Sequence, residues 1–230
     1  MSDKKNVTGQ EAGDAVIAKA KDFWGKYGKV LTIASVLVIL AAGGWYYYQN
    51  FIKKPREVKA ADALYKAEEY FRMDSINQAL NGDGQYIGFL KVIDKYGSTK
   101  AGKLANFYAG SCYIKLNDNE KAIKYLKKVS TSSKLVQARA YKLLGDAYAD
   151  LGKSKEAFDY YKKAGTYFEE DISGSAESLY NAAYLAQSVL NDTKSAIELY
   201  KEIKEKFPNT QQSSDADLNL AKLGVYNTEN

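Results

Sequence analysis

Histidine is absent from the 230-residue chain, and cysteine occurs once, at Cys112. Without imidazole the sequence lacks the commonest general acid–base group and the commonest nitrogen ligand for metals. A single thiol forbids an internal disulfide. Cys112 also falls among helical packing positions, where a small buried residue is expected rather than a nucleophile. No strand pattern is evident, so no glycine-rich phosphate loop follows one. The acidic cluster Glu169-Glu170-Asp171 reads as a solvated helix end. These absences argue against an enzyme, a bound metal and a cofactor.

Charge is unevenly placed. Lysine and arginine total 33 against 28 acids, a formal +5. Residues 1–56 hold 9 basic and 4 acidic residues, and 57–230 hold 24 of each. The excess therefore lies at the N-terminal end, which suits attraction to anionic head groups. The larger part, formally neutral, lacks the positive footprint that nucleic-acid binding requires.

The N-terminal end also holds the longest apolar run. Residues 30–52 carry no charge, and as a helix they would span about 35 Å. A hydrocarbon core of about 30 Å could be crossed by such a segment. Lys26 and Lys29 close one end; Lys53, Lys54 and Arg56 close the other. Aromatic residues bracket the run, with Phe23, Trp24 and Tyr27 before it and Trp45, Tyr46, Tyr47, Tyr48 and Phe51 near its end, as at membrane interfaces. A cleaved signal peptide is the alternative, since Ala42-Gly43-Gly44 offers small residues; the long charged region before the run and the aromatics after it favour an uncleaved anchor. No cysteine near the run provides for a lipoprotein. In the preceding tail, Val16, Ile17, Ala20, Phe23, Trp24 and Tyr27 fall at helical spacing and could lie along a bilayer surface. Flanking lysines and arginines are nearly balanced. The expected topology, tail in the cytoplasm and large domain translocated, therefore follows from the short tail before a single span.

The rest of the sequence is periodic. Within 138–171, Tyr141, Leu144, Gly145 and Tyr148 fall on one predicted helix, and Ala157, Tyr161 and Ala164 on the next. Small residues at Gly145 and Ala157 would let the two helices approach closely. Upstream, Gly110, Tyr113, Ala122 and Leu126 repeat this spacing over 103–136. Downstream, Tyr180, Ala183, Ala196, Tyr200 and Pro208 repeat it over 177–210. Asn117-Asp118-Asn119, Leu151-Gly152-Lys153 and Asn191-Asp192 supply turns at equivalent places.

An aromatic, Leu-Gly, Tyr, then Ala four residues before an aromatic, in a unit of about 34 residues, resembles the tetratricopeptide repeat (TPR) family. The resemblance covers 103–210. Asn106 and Ala109 depart from it in the first unit, and Tyr184 occupies the small-residue site of the third. Helices predicted over 58–72 and 85–96, joined through Asn81-Gly82-Asp83-Gly84, read as a divergent first repeat at 60–102. A capping helix over 213–226 begins at Ser213-Ser214-Asp215 and carries Ala216, Leu218, Leu220 and Leu223. The expected organisation is all-α: an interfacial tail at 1–29, a span at 30–52, a basic linker at 53–59, about four TPR-like hairpins, and the cap.

By resemblance, the first helix of each hairpin lines a groove that holds a polypeptide. Here the groove would draw on Leu104, Phe107, Ser111 and Ile114, then Arg139, Lys142, Asp146 and Ala149, then Ser178, Asn181, Leu185 and Ser188. Asp146 and Leu185 stand where a carboxylate-clamping groove would want Asn. A single span followed by such repeats resembles bacterial inner-membrane TPR proteins of the ancillary SecYEG translocon-subunit type. That implies a scaffold binding the translocon, periplasmic chaperones or exported clients. The reversed geometry, a mitochondrial outer-membrane receptor with its repeats in the cytosol, is the alternative.

Overall fold

The computed structural model describes the backbone of residues 4–226 and the side chains of 13–226. The first residues of the predicted tail and those after 226 lie outside the described residues. The chain divides into two compact units, Met1–Pro55 and Arg56–Asn230.

In the N-terminal unit, α1 (Lys4–Tyr47) is one uninterrupted helix, followed by a π-helical stretch, Tyr48–Lys53. The boundary expected between a surface tail and a span is not marked by any break. Gly25 and Gly28 sit inside the helix, and the Trp24 indole lies over Gly28. This unit carries one helix long and apolar enough to cross a membrane. Val30, Leu31, Ile33 and the run from Val36 to Leu40 are all exposed, an unfavourable state in water. The hydroxyls within the run are satisfied locally: Thr32 Oγ1 donates to the Gly28 carbonyl at 2.7 Å and Ser35 Oγ to that of Leu31 at 2.8 Å. Back-bonded hydroxyls of this kind suit an apolar surrounding.

The second unit is a stack of helical hairpins. Its helices are α2 (Lys54–Arg72), α3 (Ile76–Asn81), α4 (Phe89–Tyr96), α5 (Lys100–Lys115), α6 (Asn119–Leu126), α7 (Lys134–Asp150), α8 (Ser154–Tyr167), α9 (Ile172–Ser188), α10 (Thr193–Lys206) and α11 (Gln211–Lys222). From α3 onward each helix packs on the next, α5 also packs on α7, and α11 on α9. One punctuation recurs. Asp74, Asn117, Gly152 and Asn191 each adopt a left-handed conformation, with φ of 56°, 56°, 69° and 54°, just after the first helix of a pair. Such a residue ends a helix by letting the following amides bond back to its last carbonyls. Asp118 N thus donates to the Tyr113 carbonyl, and Lys153 N to that of Tyr148, both at 2.9 Å. The helix starts are equally regular, since Thr99, Asp118, Ser133, Asp171, Asp192 and Thr210 each accept a backbone N–H with their side chain.

Four such turns mark four hairpins, the first of which differs from expectation. Its turn falls at Asp74, and its second half is split into α3 and α4 by the loop around Gly82–Ile87, which an isolated β-bridge closes. Asp83 Oδ1 there accepts the amides of Gln85 and Tyr86 at 2.9 and 2.7 Å, so the Gly/Asn/Asp cluster builds a fixed loop. The cap, α11, ends at Lys222.

The core follows the repeat pattern. Gly110, Ala122, Leu144, Gly145, Ala157, Tyr161, Ala164, Ala183, Ala196 and Tyr200 are buried, as are Tyr113 and Tyr148. Tyr141 and Tyr180 are half-buried. Pro208 is exposed in the turn after α10, and Phe207 beside it fills the core. Tyr184 is also exposed, while Ala183 beside it is fully buried.

Candidate partner-binding surface

The groove residues expected from the sequence lie on α5, α7 and α9, the first helices of successive hairpins. On α5, Leu104, Phe107, Ser111 and Ile114 are all half-buried. The Phe107 ring meets Tyr108 edge-on at 5.5 Å, and Ser111 Oγ is spent on the Phe107 carbonyl at 2.9 Å. On α9, Asn181 and Leu185 are half-buried and Ser188 is exposed. Ser178 is buried with its hydroxyl donated to the Gly174 carbonyl at 2.6 Å, so it offers no contact surface.

On α7 the charged residues meet partners within the fold. Lys142 Nζ lies 3.5 Å from Asp146 and 3.2 Å from Glu177 of α9, and Arg139 lies 3.9 Å from Asp171. Tyr161 of α8 donates its hydroxyl to Asp146 at 2.8 Å. Burial pulls the Lys142 ammonium down, but Asp146 and Glu177 outweigh it and hold the group above its ordinary range. Burial first, then Asp146, pushes the Tyr161 phenol far up, so it stays a donor. Arg139, Lys142 and Ser178 meet around a cavity of about 20 Å³, room for no more than a water. The centre of the expected groove is thus an internally paired network that ties α7, α8 and α9 together, and Ala149 lies beyond it, half-buried near the end of α7.

Sequence spacing gave Lys142 and Asp146 as neighbours four residues apart on a helix. Glu177 and the Tyr161 hydroxyl were missed, because Tyr161 reads as a packing ring and Glu177 comes from another hairpin. A larger concavity, about 390 Å³, was also missed: Asp62, Ala63, Tyr65 and Lys66 of α2 line it with Gln85, Tyr86 and Ile87 of the split repeat. Lys66 there lies 5.7 Å from the Tyr65 ring and 5.3 Å from that of Tyr86.

Among the described residues no group of three or more Cys, Asp or Glu side chains could hold a metal. Burial pushes the Cys112 thiol up to about 12, where it is inert as a nucleophile. Stacked hairpins with varied side chains on their first helices define a helical-repeat scaffold, an architecture suited to holding polypeptides. A family described as a tetratricopeptide repeat-like domain matches residues 21–140, and two described as tetratricopeptide repeats match 138–166 and 177–210. The chain belongs to the tetratricopeptide repeat-like family, and its repeats form a non-enzymatic protein–protein interaction module. No curated protein matches the sequence.

Proposed function

We propose that the protein is a membrane-anchored adaptor that holds partner polypeptides at the outer face of a bacterial inner membrane, where it assists export or assembly. The observation that carries this reading is the union of two features in one chain. One is a helix apolar enough to cross a bilayer, and the other is a repeat module built to bind protein. A tether of this kind raises the effective concentration of the module beside membrane partners. Translocon components of the SecYEG type, extracytoplasmic chaperones and exported clients are the partners such a placement favours. The half-buried apolar side chains Phe107 and Leu185, with the Asn181 amide, supply the contact surface on α5 and α9.

Crosslinking in intact cells followed by mass spectrometry tests this reading. Translocon subunits or extracytoplasmic chaperones should be recovered, and Phe107→Ala or Asn181→Lys should lose them while circular dichroism shows the fold retained at the temperature of the assay. A C-terminal reporter active only in the cytoplasm would overturn the topology. Unchanged recovery from both variants would overturn the site.

A further inference from the structure

The second unit is neutral as a whole but strongly polarised within. Residues 100–145 carry ten basic side chains and only two acids, Asp118 and Glu120. Residues 57–99 carry five basic and seven acidic side chains, and 146–230 nine and fifteen. A positive block thus sits in sequence between two negative ones.

Four of the ten, Lys121, Lys124, Lys127 and Lys128, lie on α6 or directly after it, and Lys153 joins them from the turn between α7 and α8. Tyr113 and Tyr125 stack at 5.5 Å with their planes 12° apart, and Tyr148 and Tyr160 stack at 5.4 Å and 8°. Lys121 lies 5.4 Å from the Tyr113 ring, and Lys124 and Lys128 each lie 5.9 Å from that of Tyr125. Lys127 and Lys153 converge on Tyr148 at 5.4 and 6.0 Å. All five lysines are exposed. Lys121 pairs with Asp118 at 2.6 Å; among the described residues the other four are in no ion pair. The rings hold the aliphatic stems and attract the ammonium groups, which keeps like charges together on a fixed ridge. Five lysines against Asp118 and Glu120 leave a local positive excess, and such an excess steers and selects an oppositely charged partner.

We infer that the lysine–tyrosine ridge on α6 is a docking surface for a short acidic polypeptide segment. This rests on the reading of the domain as a polypeptide-binding module and adds a second face to it, apart from the groove. Charge complementarity identifies the occupant as anionic, and two features make it a peptide. Ile123, Tyr125 and Leu126 are at most half-exposed, so the ridge has no large apolar side chain to insert into lipid. The negative blocks on either side in sequence oppose a long polyanion, whereas α6, about 12 Å long, matches about four extended residues.

The full chain in nanodiscs of zwitterionic lipid, titrated with fluorescein-labelled hexaglutamate and hexaglutamine, tests the assignment. Hexaglutamate should bind, more weakly as salt rises, and hexaglutamine should not. Lys124→Glu/Lys128→Glu should weaken binding by about tenfold or more, and Lys124→Gln/Lys128→Gln by less, with unchanged melting temperatures. Phe107→Ala should bind as the parent does, which separates this surface from the groove. Loss of groove crosslinks with intact hexaglutamate binding would leave the ridge standing. Equal binding of the two peptides, or no effect of charge reversal, would overturn it. Protection of Lys124 and Lys128 from amine labelling in anionic but not zwitterionic nanodiscs, without hexaglutamate binding, would assign the ridge to lipid and overturn it too. So would self-association abolished by Lys124→Glu, without hexaglutamate binding.

Discussion

Gly145 on α7 lies against the ring of Tyr161 on α8 so closely that a Cβ at position 145 would come within 2.5 Å of Cδ1. The ring cannot swing aside freely, because its hydroxyl is bonded to Asp146. Gly145→Leu should therefore destabilise the fold by overpacking, roughly 1–3 kcal/mol or more. Ala157→Trp, at a fully buried position on α8, should act in the same way. Lys155→Ala, exposed in the first turn of α8, should shift stability by no more than about 0.5 kcal/mol. Urea unfolding of a fragment beginning at Pro55 measures all three. Indistinguishable midpoints would contradict the close approach.

The cap at the start of α10 should show itself in acid. Asp192 accepts the Ser195 hydroxyl at 2.6 Å and the Ser195 amide at 3.1 Å. The hydroxyl bond first, then the amide bond, holds the carboxyl below its ordinary value of 3.8. A group depressed on folding contributes stability above its unfolded pKa and loses it as pH falls through the folded one. Asp192→Ala should thus lower the melting temperature at pH 7, and the gap should narrow as pH drops below 3.8. A gap constant from pH 7 to pH 2 would show that the charged form contributes nothing.

The apolar helix makes a separate demand. If 30–52 crosses a bilayer uncleaved, the full chain should stay in the membrane pellet after high salt and alkaline carbonate, held by about 20 buried apolar residues. N-terminal sequencing should find residues before the run. Release into the supernatant, or a mature chain starting at Trp45, would remove the anchor from the proposed function.

The hairpins were legible in the sequence because their determinants are local. Gly145, Ala157 and Tyr161 sit at spacings that suit a close helical pair, and Asn117, Gly152 and Asn191 mark their own turns. The split first repeat was not legible, since the Asp74 turn lacks a glycine or asparagine and α3 is too short to show a period. Spacing puts Tyr184 at a small-residue site but does not tell that its ring is exposed. Arg139, Lys142 and Asp146 all fall on α7, as their spacing predicts. Their partners Glu177, Asp171 and the Tyr161 hydroxyl come from later in the chain, and no local pattern links them.

Lys142 separates a stabilising role from a recognition role. Its side chain is 26 % exposed and lies between Asp146, 28 % exposed, and Glu177. Removing it would leave two facing carboxylates without their shared cation. Lys142→Met should therefore cost about 1 kcal/mol, more than an exposed pair and less than a fully buried one. The pH sign follows from the direction of the shift. A lysine raised on folding contributes fully below its unfolded value of 10.5 and loses that contribution as pH rises through the folded one. The melting-temperature gap between Lys142→Met and the parent should hold from pH 7 to pH 10 and shrink above 10.5. Adding Asp146→Asn/Glu177→Gln should recover much of the loss, because the carboxylates then no longer need the cation. Lys142→Met with unaltered stability but lost partner crosslinks would instead make Lys142 a recognition residue, and the network would not be what joins α7 to α9.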